Sequence, residues 1–441
     1  MNASELFKKY FDIMELHKIY LEKIKYRANV GMDRISPQKF ENEMVENISI
    51  ISRKVLSGTY TFTRYRQILI NKGKGKAPRV ISIPTIRDKL VLATLHKVLQ
   101  ETFKNDVEEP LLHTIIGEIT HTALGGCYNG YVKLDITRFY SSINHNILIR
   151  KIKKRIRKKE VLSLLVRAIS TETIENNVAA GEKNRNDRGV PEGLSISNIL
   201  ADIYLAELKQ KILDKYEVKF YRYVDDILIL CSETQAEEIA GYCKGLLEND
   251  YDLKINENKT KYGKLDEGVS FLGYLFFNNK VSIRSAAEEK LENSIESLFG
   301  MMKKGKISYS LFIWKLNLRI AGCILESHKY GWMFYYSQLT DLKILYHLDW
   351  LVEKLFDRYR LEKPKEIKRF VRVYHEITKN LQNSNYLINA DRYTFERKIE
   401  VLSNIYNREI KNLTETEIDN LFKDAMFREV QYLENDIQNF S

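Results

Sequence analysis

Two adjacent carboxylates stand between two strand-like segments, and this pattern constrains the fold more than any other feature of the sequence. Residues 219–224 and 227–230 have the length and the aromatic and branched side chains typical of strands. Asp225 and Asp226 lie between them, and aspartate tolerates the backbone of a tight turn. Adjacent carboxylates repel each other unless a cation binds there. The pattern predicts a β-hairpin whose tip can hold Mg²⁺, although an ordinary surface turn would look the same.

A second predicted strand, residues 131–136, carries another carboxylate near its end, Asp135. Carboxylates that come from separate strands can hold two metal ions about 3.5–4 Å apart. Taken alone, Asp135 is better explained as a residue that terminates a strand. A metal-binding role for Asp135 therefore depends on which other motifs occur along the chain.

A glycine-bearing loop, Gly-Val-Pro-Glu-Gly at residues 189–193, leads into a segment that we predict to be one helix over residues 193–213. Small residues allow a triphosphate or a base pair to approach the backbone closely. A plain helix entry explains the same residues equally well.

Strands and helices alternate between about residues 67 and 283, and helical patterns flank them on both sides. Residues 67–70 and 80–83 predict a hairpin with a basic tip, and residues 268–277 predict a strand. Residues 144–169 predict a single helix. The whole chain is therefore expected to have an α/β (α+β) core with α-helical ends.

The net charge of +11 suits a polyanionic partner such as nucleic acid, although it could also serve solubility. Residues 150–159 are Lys or Arg at every position except two isoleucines. On a helix these isoleucines would face the core, which leaves cations such as Lys153 and Arg157 on the other faces. Such a run is usually a solvated helix face, but the cationic faces around the isoleucines favour contacts with the phosphates of a nucleic acid.

The four cysteines lie far apart, without the spacing of a zinc site or of a disulfide framework. No segment approaches the roughly 20 apolar residues that span a bilayer, and the first residues lack a secretory signal. We therefore expect a cytoplasmic protein with free thiols and no membrane partner.

The motifs occur in the order found in the palm of reverse transcriptases, and the chain resembles that family. The matching elements are, in order, Asp135, Gly189-Val-Pro-x-Gly193, Tyr223-x-Asp225-Asp226, Lys259 and Phe271-Leu272-Gly273-Tyr274. Upstream, residues 72–89 resemble the fingers motif of bacterial group II intron and retron-type enzymes, and residues 31–35 resemble their N-terminal extension. The resemblance covers about residues 28–277. It implies a right-hand polymerase with fingers, an antiparallel palm sheet and a thumb.

The resemblance also implies a role for each matching residue. The metal ligands would be Asp135, Ile136, Asp225 and Asp226, holding two Mg²⁺ ions that Mn²⁺ could replace, and Lys259 would act on the leaving pyrophosphate. The nucleotide would be bound by Lys72, Arg79, Tyr140, Glu192 and Gly193, with Tyr140 as a steric gate against the ribose 2′-hydroxyl. A core aromatic is the alternative for Tyr140. Primer and template would be contacted by Tyr223, Phe271, Leu272, Gly273, Tyr274, Lys153 and Arg157.

The sequence departs from the family pattern at two of these motif positions. Glu192 stands where the family usually has Gln, and Asn198 stands where it usually has Pro. Glu192 places a further negative charge near the incoming nucleotide. We expect this to alter nucleotide choice, fidelity or dependence on a template, without removing a metal ligand.

Beyond the palm, residues 315–323 and 329–337 resemble the corresponding region of defence-associated, anti-phage reverse transcriptases. The expected layout is an N-terminal extension at 1–66, fingers and palm at 67–283, a helical thumb at 284–360 and an α-helical C-terminal domain at 361–441. Partners would be a non-coding RNA template, dNTPs and the DNA product, and an oligomer stays open. The alternatives are a template-independent or protein-primed DNA polymerase, a retron or group II intron-type enzyme, and a catalytically silent RNA-binding scaffold.

Overall fold

The computed structural model describes residues 1–25, 30–71, 77–107, 112–175, 186–277, 280–411 and 413–437. The chain forms two compact units. The first unit comprises Met1–Leu111 and Asn129–Gly263, and the second comprises Leu112–Tyr128 and Lys264–Ser441. Across the described ranges, every helix is too short or too polar to cross a bilayer.

The α-helices are α1 (Ala3–Tyr10), α2 (Ile13–Ile19), α3 (Pro37–Asn42), α4 (Met44–Leu56), α5 (Ile86–Phe103), α6 (Leu112–Leu124), α7 (Phe139–Ser142), α8 (His145–Ile152), α9 (Lys159–Ser170), α10 (Ser197–Leu205), α11 (Leu208–Leu213), α12 (Ala236–Tyr251), α13 (Ser285–Lys303), α14 (Tyr309–Ala321), α15 (Trp332–Tyr335), α16 (Lys343–Tyr359), α17 (Phe370–Lys379), α18 (Phe395–Glu400) and α19 (Glu415–Ile437). The strands are β1 (Tyr65–Ile70), β2 (Arg79–Ile83), β3 (Gly130–Asp135), β4 (Thr173–Ile174), β5 (Lys219–Tyr223), β6 (Asp226–Cys231), β7 (Lys261–Lys264), β8 (Val269–Phe271), β9 (Tyr274–Phe277), β10 (Lys280–Ile283), β11 (Cys323–Leu325) and β12 (His328–Tyr330).

The first unit is built around a sheet with the strand order β5-β6-β3-β7. Strands β3 and β5 both pair antiparallel with β6. The side chains of β6 from Ile227 to Cys231 are fully buried, as expected for a central strand with a neighbour on each side. Helix α12 packs against β3. This antiparallel sheet backed by helices confirms the mixed α and β fold predicted from the sequence.

A smaller sheet in the same unit has the order β2-β1-β4. Strands β1 and β2 are antiparallel, which confirms the pairing of the predicted basic hairpin. Most of the tip of that hairpin, residues 72–76, lies outside the described residues, and the predicted nucleotide ligand Lys72 lies there too.

The prediction of one helix over residues 144–169 is wrong. Helix α8 ends at Ile152, and α9 begins only at Lys159. Five of the six residues 153–158 are cationic, and like charges one turn apart disfavour a helix. Leaving the helix lets Ile156 be fully buried. It also lets Lys154 pair with Glu207 and Arg155 pair with Asp106.

Glycines at positive φ interrupt two further elements that were predicted to be continuous. Gly193 has φ +96°, so the helix predicted from residue 193 begins only at Ser197, and it is broken again between α10 and α11. Leu272 and Gly273 have φ +49° and +84°, so the strand predicted over residues 268–277 is the hairpin β8–β9. In both cases a turn needs a backbone that glycine adopts without strain.

The second unit is mostly helical, with the antiparallel sheet β10-β9-β8 and the hairpin β11–β12. The rings of Phe299 on α13, Phe312 on α14 and Phe356 on α16 meet at centroid distances of 4.8 and 5.0 Å. Helix α19 joins this packing through two ion pairs with α14, Lys315 with Glu429 and Arg319 with Asp436. The unit is therefore held by an aromatic core and by ion pairs that are largely shielded from solvent.

Gly130, the first residue of β3, is packed so closely that no side chain fits there. A methyl group on Gly130 would lie 2.5 Å from the Cα atom of Glu233, a backbone atom that cannot move aside. We therefore expect Gly130→Ala to lower the free energy of unfolding by about 1–3 kcal/mol in urea denaturation. Gly241, inside α12, faces open space and is the matched control. Gly241→Ala is expected to leave stability unchanged or to raise it by up to about 1 kcal/mol, and equal losses in both variants would contradict the prediction.

Candidate metal and nucleotide site

Three carboxylates meet at one end of the central sheet. In the pairing of β3 with β6, Asp135 stands directly opposite Asp226. Directly opposed residues of an antiparallel pair have Cβ atoms about 4.5–5.5 Å apart, which is within reach of a shared cation. Asp225 immediately precedes β6, in the turn that joins it to β5. The structure thus places at one end of the sheet the three aspartates that the sequence analysis singled out, close enough for their charges to interact.

The turn that carries Asp225 is held in a strained backbone conformation. Val224 has φ +57°, which a β-branched residue adopts only when its surroundings enforce it. The guanidinium of Arg222 donates a hydrogen bond to the carbonyl of Val224 over 3.1 Å and pairs with Asp202 over 2.8 Å. Asp202 lies on α10, about twenty residues upstream, so no local sequence pattern links it to the turn. Arg222 and Asp202 are supporting residues that the sequence analysis missed.

The electrostatics of the site favour binding a cation. Burial raises the pKa of Asp225, and the charge of Asp135 raises it further. Burial, followed by the charge of Asp225, raises the pKa of Asp226 to about 6. A bound divalent cation would reverse both effects, since it favours the ionised carboxylates. A set of carboxylate oxygens also fits the preference of Mg²⁺ and Mn²⁺ for oxygen ligands.

Two other predicted residues lie beside these carboxylates. The ammonium group of Lys259 is 3.3 Å from a carboxylate oxygen of Asp135, and half of its side chain is exposed. The segment before Lys259 is fixed to the end of β3, because the amide of Asn256 donates to the carbonyl of Asp135 over 2.7 Å. Ile136 has a buried apolar side chain, so its carbonyl oxygen is the only group it can offer to a metal.

The loop at residues 189–193 connects two parts of the predicted nucleotide site. The amide of Val190 donates to the carbonyl of Tyr140 over 2.8 Å, and the amide of Ser82 on β2 donates to the carbonyl of Glu192 over 2.7 Å. A methyl group on Gly193 would lie 2.7 Å from the side chain of Ile81, so glycine is needed for this close approach. The loop is therefore fixed at one end to the residues before α8 and at the other end to β2.

The residues predicted to bind the nucleotide make specific contacts here. The guanidinium of Arg79 forms an ion pair with Glu192. The hydroxyl of Tyr140 donates to the side-chain oxygen of Asn198 over 2.6 Å. Burial raises the pKa of Tyr140, and the charges of Asp225 and Glu192 contribute to the rise, so these groups are close in space. Both departures from the family pattern thus touch predicted nucleotide ligands.

The residues predicted to contact primer and template are placed differently. Tyr223 at the end of β5 is 40% exposed, and Lys153 and Arg157 are exposed. In the second unit, the side chains of Phe271, Leu272 and Tyr274 are buried, and the carbonyl of Leu272 accepts a hydrogen bond from the hydroxyl of Tyr335. Gly273 is buried as well, and its carbonyl oxygen accepts a hydrogen bond from the amide of Arg284 over 3.1 Å.

The sequence of this chain is similar to those of several known proteins. Residues 70–276 match the family model described as "Reverse transcriptase (RNA-dependent DNA polymerase)". YkfC of Escherichia coli is 23% identical over 334 residues, which span 64% of this chain and 86% of that protein. The group II intron-encoded protein LtrA of Lactococcus lactis is 29% identical over 335 residues, which span 59% of this chain and about half, 55%, of LtrA.

Among solved structures, a telomerase of Candida albicans in complex with a fragment of telomeric RNA is similar, with a TM-score of 0.45 and 13% identity. The similarity covers 92% of this chain and 69% of the telomerase chain. The family match includes all three carboxylates, the loop at 189–193 and Lys259. Residues 70–276 are therefore similar to the reverse transcriptase domain, the domain of RNA-directed DNA polymerases.

Proposed function

We propose that this chain synthesises DNA by two-metal nucleotidyl transfer, with Asp135, Asp225 and Asp226 as the metal ligands. The observation that carries the proposal is the register that sets Asp135 opposite Asp226, with Asp225 in the adjoining turn. Two bound Mg²⁺ or Mn²⁺ ions would activate the primer hydroxyl and neutralise charge on the leaving pyrophosphate. The strained turn at Val224, supported by Arg222, holds the backbone from which the two adjacent carboxylates extend.

The neighbouring residues would bind and orient the reactants. Arg79, together with Lys72, would hold the triphosphate by forked hydrogen bonds and charge. Lys259 would balance the charge of Asp135 and then that of the pyrophosphate, a role that its 3.3 Å ion pair supports. Tyr140, held by Asn198, would block the ribose 2′-hydroxyl. The main chain of Ile136 would complete the metal ligands.

We further propose that the template is a non-coding RNA and that the enzyme acts in anti-phage defence. The similarity of residues 315–323 and 329–337 to defence-associated enzymes supports this proposal. Residues 67–283 would then be fingers and palm, 284–360 the thumb and 361–441 an additional helical domain. The similarity to LtrA favours the second candidate, a group II intron-type reverse transcriptase. Glu192 is the feature that favours a template-independent polymerase on the same fold.

The test is DNA synthesis by the purified full chain together with any RNA it retains. The protein is supplied with Mg²⁺ and each dNTP, singly and together, with an RNA template, with a DNA template and with neither, and every product is sequenced. Template-complementary DNA would support the proposal and identify the template. DNA made without any template would favour the template-independent reading. RNA binding without DNA synthesis under any condition would favour the silent scaffold.

The basic run between α8 and α9 yields a separate prediction about nucleic-acid binding. Among the described residues, Lys153 and Arg157 form no ion pair, whereas Lys154 pairs with Glu207 and Arg155 with Asp106. We expect Lys153→Ala/Arg157→Ala to weaken RNA binding and to reduce the slope of log K against log salt by about 1.4, which is about 0.7 for each lost phosphate contact on a single strand.

The measurement is fluorescence anisotropy of a labelled RNA at several salt concentrations. Lys154→Ala/Arg155→Ala is the matched control, because it removes the same charge from side chains that already have carboxylate partners. A slope that changes equally in both double variants, or in neither, would show that Lys153 and Arg157 belong to a solvated surface.

A further inference from the structure

One ion pair joins a predicted triphosphate ligand to the residue that departs from the family pattern. The guanidinium of Arg79, at the start of β2, is paired through its Nε atom with the carboxylate of Glu192. The side chains are 40% and 28% exposed, so solvent and a ligand can reach both. An arginine that binds a carboxylate presents fewer donors and less net charge to a phosphate.

The backbone fixes Glu192 at this place. The hydrogen bond from the amide of Ser82 to the carbonyl of Glu192 attaches the loop to β2, the strand that carries Arg79. The next residue, Gly193, adopts φ +96° and approaches Ile81 so closely that a side chain would not fit. The path of the loop therefore brings Glu192 within reach of Arg79.

The pair also belongs to the electrostatic surroundings of the predicted metal ligands. The charge of Glu192 contributes to raising the pKa of Asp225 and of Tyr140, and the charge of Arg79 opposes it in both cases. Glu192 thus adds a fourth carboxylate near Asp135, Asp225 and Asp226, and Arg79 compensates it. A triphosphate that draws Arg79 away must also tolerate the uncompensated charge of Glu192.

We propose that Glu192 is a built-in anionic competitor for Arg79, and that a nucleoside triphosphate must displace it in order to bind. Glu192 then raises the nucleotide concentration that the enzyme needs. It also weakens the binding of any triphosphate whose phosphate groups cannot take the place of the Glu192 carboxylate on Arg79. This inference rests on the proposed function, because it takes Arg79 to be a triphosphate ligand.

Binding of dTTP with Mg²⁺ to the full chain, measured by isothermal titration calorimetry, tests the inference without requiring catalysis. Glu192→Gln is isosteric and removes the charge, and we expect it to lower the Kd for dTTP about three- to fivefold, the size of one partly exposed ion pair. The KM for dTTP in DNA synthesis is expected to fall by a similar factor. If Glu192 merely anchors β2, the same substitution will instead raise the Kd and lower the melting temperature.

Three comparisons separate competition from a general effect of charge. In an Arg79→Gln background, Glu192→Gln should no longer tighten binding, because the contested guanidinium is gone. In the wild type, binding exchanges the ion pair of Arg79 with Glu192 for an ion pair of Arg79 with a phosphate, and salt weakens both. The Kd of the wild type should therefore depend less steeply on salt than the Kd of Glu192→Gln. Glu172→Gln is the matched control, because Glu172 pairs with Arg64 in the same unit. The loss of this ion pair should leave the Kd for dTTP unchanged.

An unchanged or raised Kd in Glu192→Gln, or an equal decrease in the Arg79→Gln background, would overturn the inference, as would failure of every variant to bind dTTP. The proposed function fails on a different result. If the wild type and Glu192→Gln bind dTTP as expected but neither makes DNA, competition for Arg79 stands and the polymerase proposal does not.

Discussion

The double variant Asp225→Asn/Asp226→Asn is expected to lose DNA synthesis by about 10³-fold or more while remaining folded. Both substitutions keep the size of the side chain but remove the negative charge on which a divalent ion depends. The metal ions supply several kcal/mol of transition-state stabilisation in two-metal reactions, and each 1.4 kcal/mol corresponds to about tenfold in rate. Single-nucleotide extension of a labelled primer on an RNA template measures the loss.

The same variant is expected to be at least as stable as the wild type at neutral pH when no divalent ion is added. Folding raises the pKa of both carboxyls, to about 6 for Asp226, chiefly through burial. A raised pKa means that ionisation of these groups opposes folding, and this effect grows as the pH rises from the ordinary aspartate range to about 6. Asparagine carries no charge, so the variant escapes the effect.

Thermal unfolding with and without Mg²⁺ separates the loss of activity from a loss of structure. A ligand that binds only the folded state raises the melting temperature, so Mg²⁺ should stabilise the wild type and not the variant. Asp214→Asn, an exposed residue just after α11, serves as the matched control and should behave like the wild type. Residual synthesis within tenfold of the wild type would rule out Asp225 and Asp226 as essential ligands.

The parts of the site that the sequence predicted are those that depend on short segments. The hairpin β5–β6 follows from two strand-like runs around Asp225 and Asp226, and its identification needs no information from elsewhere in the chain. The placement of Asp135 beside them followed from the resemblance, because spacing alone did not distinguish it from a strand end. The register of β3 on β6 then shows how this placement arises.

The parts that the sequence did not predict depend on contacts between distant residues. The support of the turn arises only once the fold brings Asp202 on α10 to Arg222 on β5. The break between α8 and α9 reflects the pairing of Lys154 and Arg155 with acids about fifty residues away. The helical spacing of apolar residues continues through that break, because it depends only on the buried isoleucines. It does not reflect the repulsion among the neighbouring cations.

Tyr140→Ala is expected to raise the incorporation of ribonucleotides relative to deoxyribonucleotides by about 10- to 100-fold, because the loss of a steric or polar conflict at one sugar position is worth about 1–3 kcal/mol. The ring of Tyr140 is only 7% exposed, and its hydroxyl is held by Asn198. The ring therefore cannot swing aside readily to accommodate a 2′-hydroxyl. Primer extension with dTTP and with UTP, compared as ratios of kcat/KM, measures the change.

The alternative for Tyr140 is a core aromatic, and the two readings predict different outcomes for a second variant. Tyr140→Phe keeps the ring and removes the hydrogen bond to Asn198, so a gate predicts nearly unchanged sugar selectivity and a loss of about 1 kcal/mol in stability. Tyr140→Ala leaves a cavity in either case and is expected to lose about 3–5 kcal/mol. If Tyr140→Ala is destabilised by this amount but still excludes UTP as the wild type does, Tyr140 is a core residue. If selectivity collapses in Tyr140→Ala and persists in Tyr140→Phe, the ring itself excludes the ribose, and Asn198 serves to hold it in place.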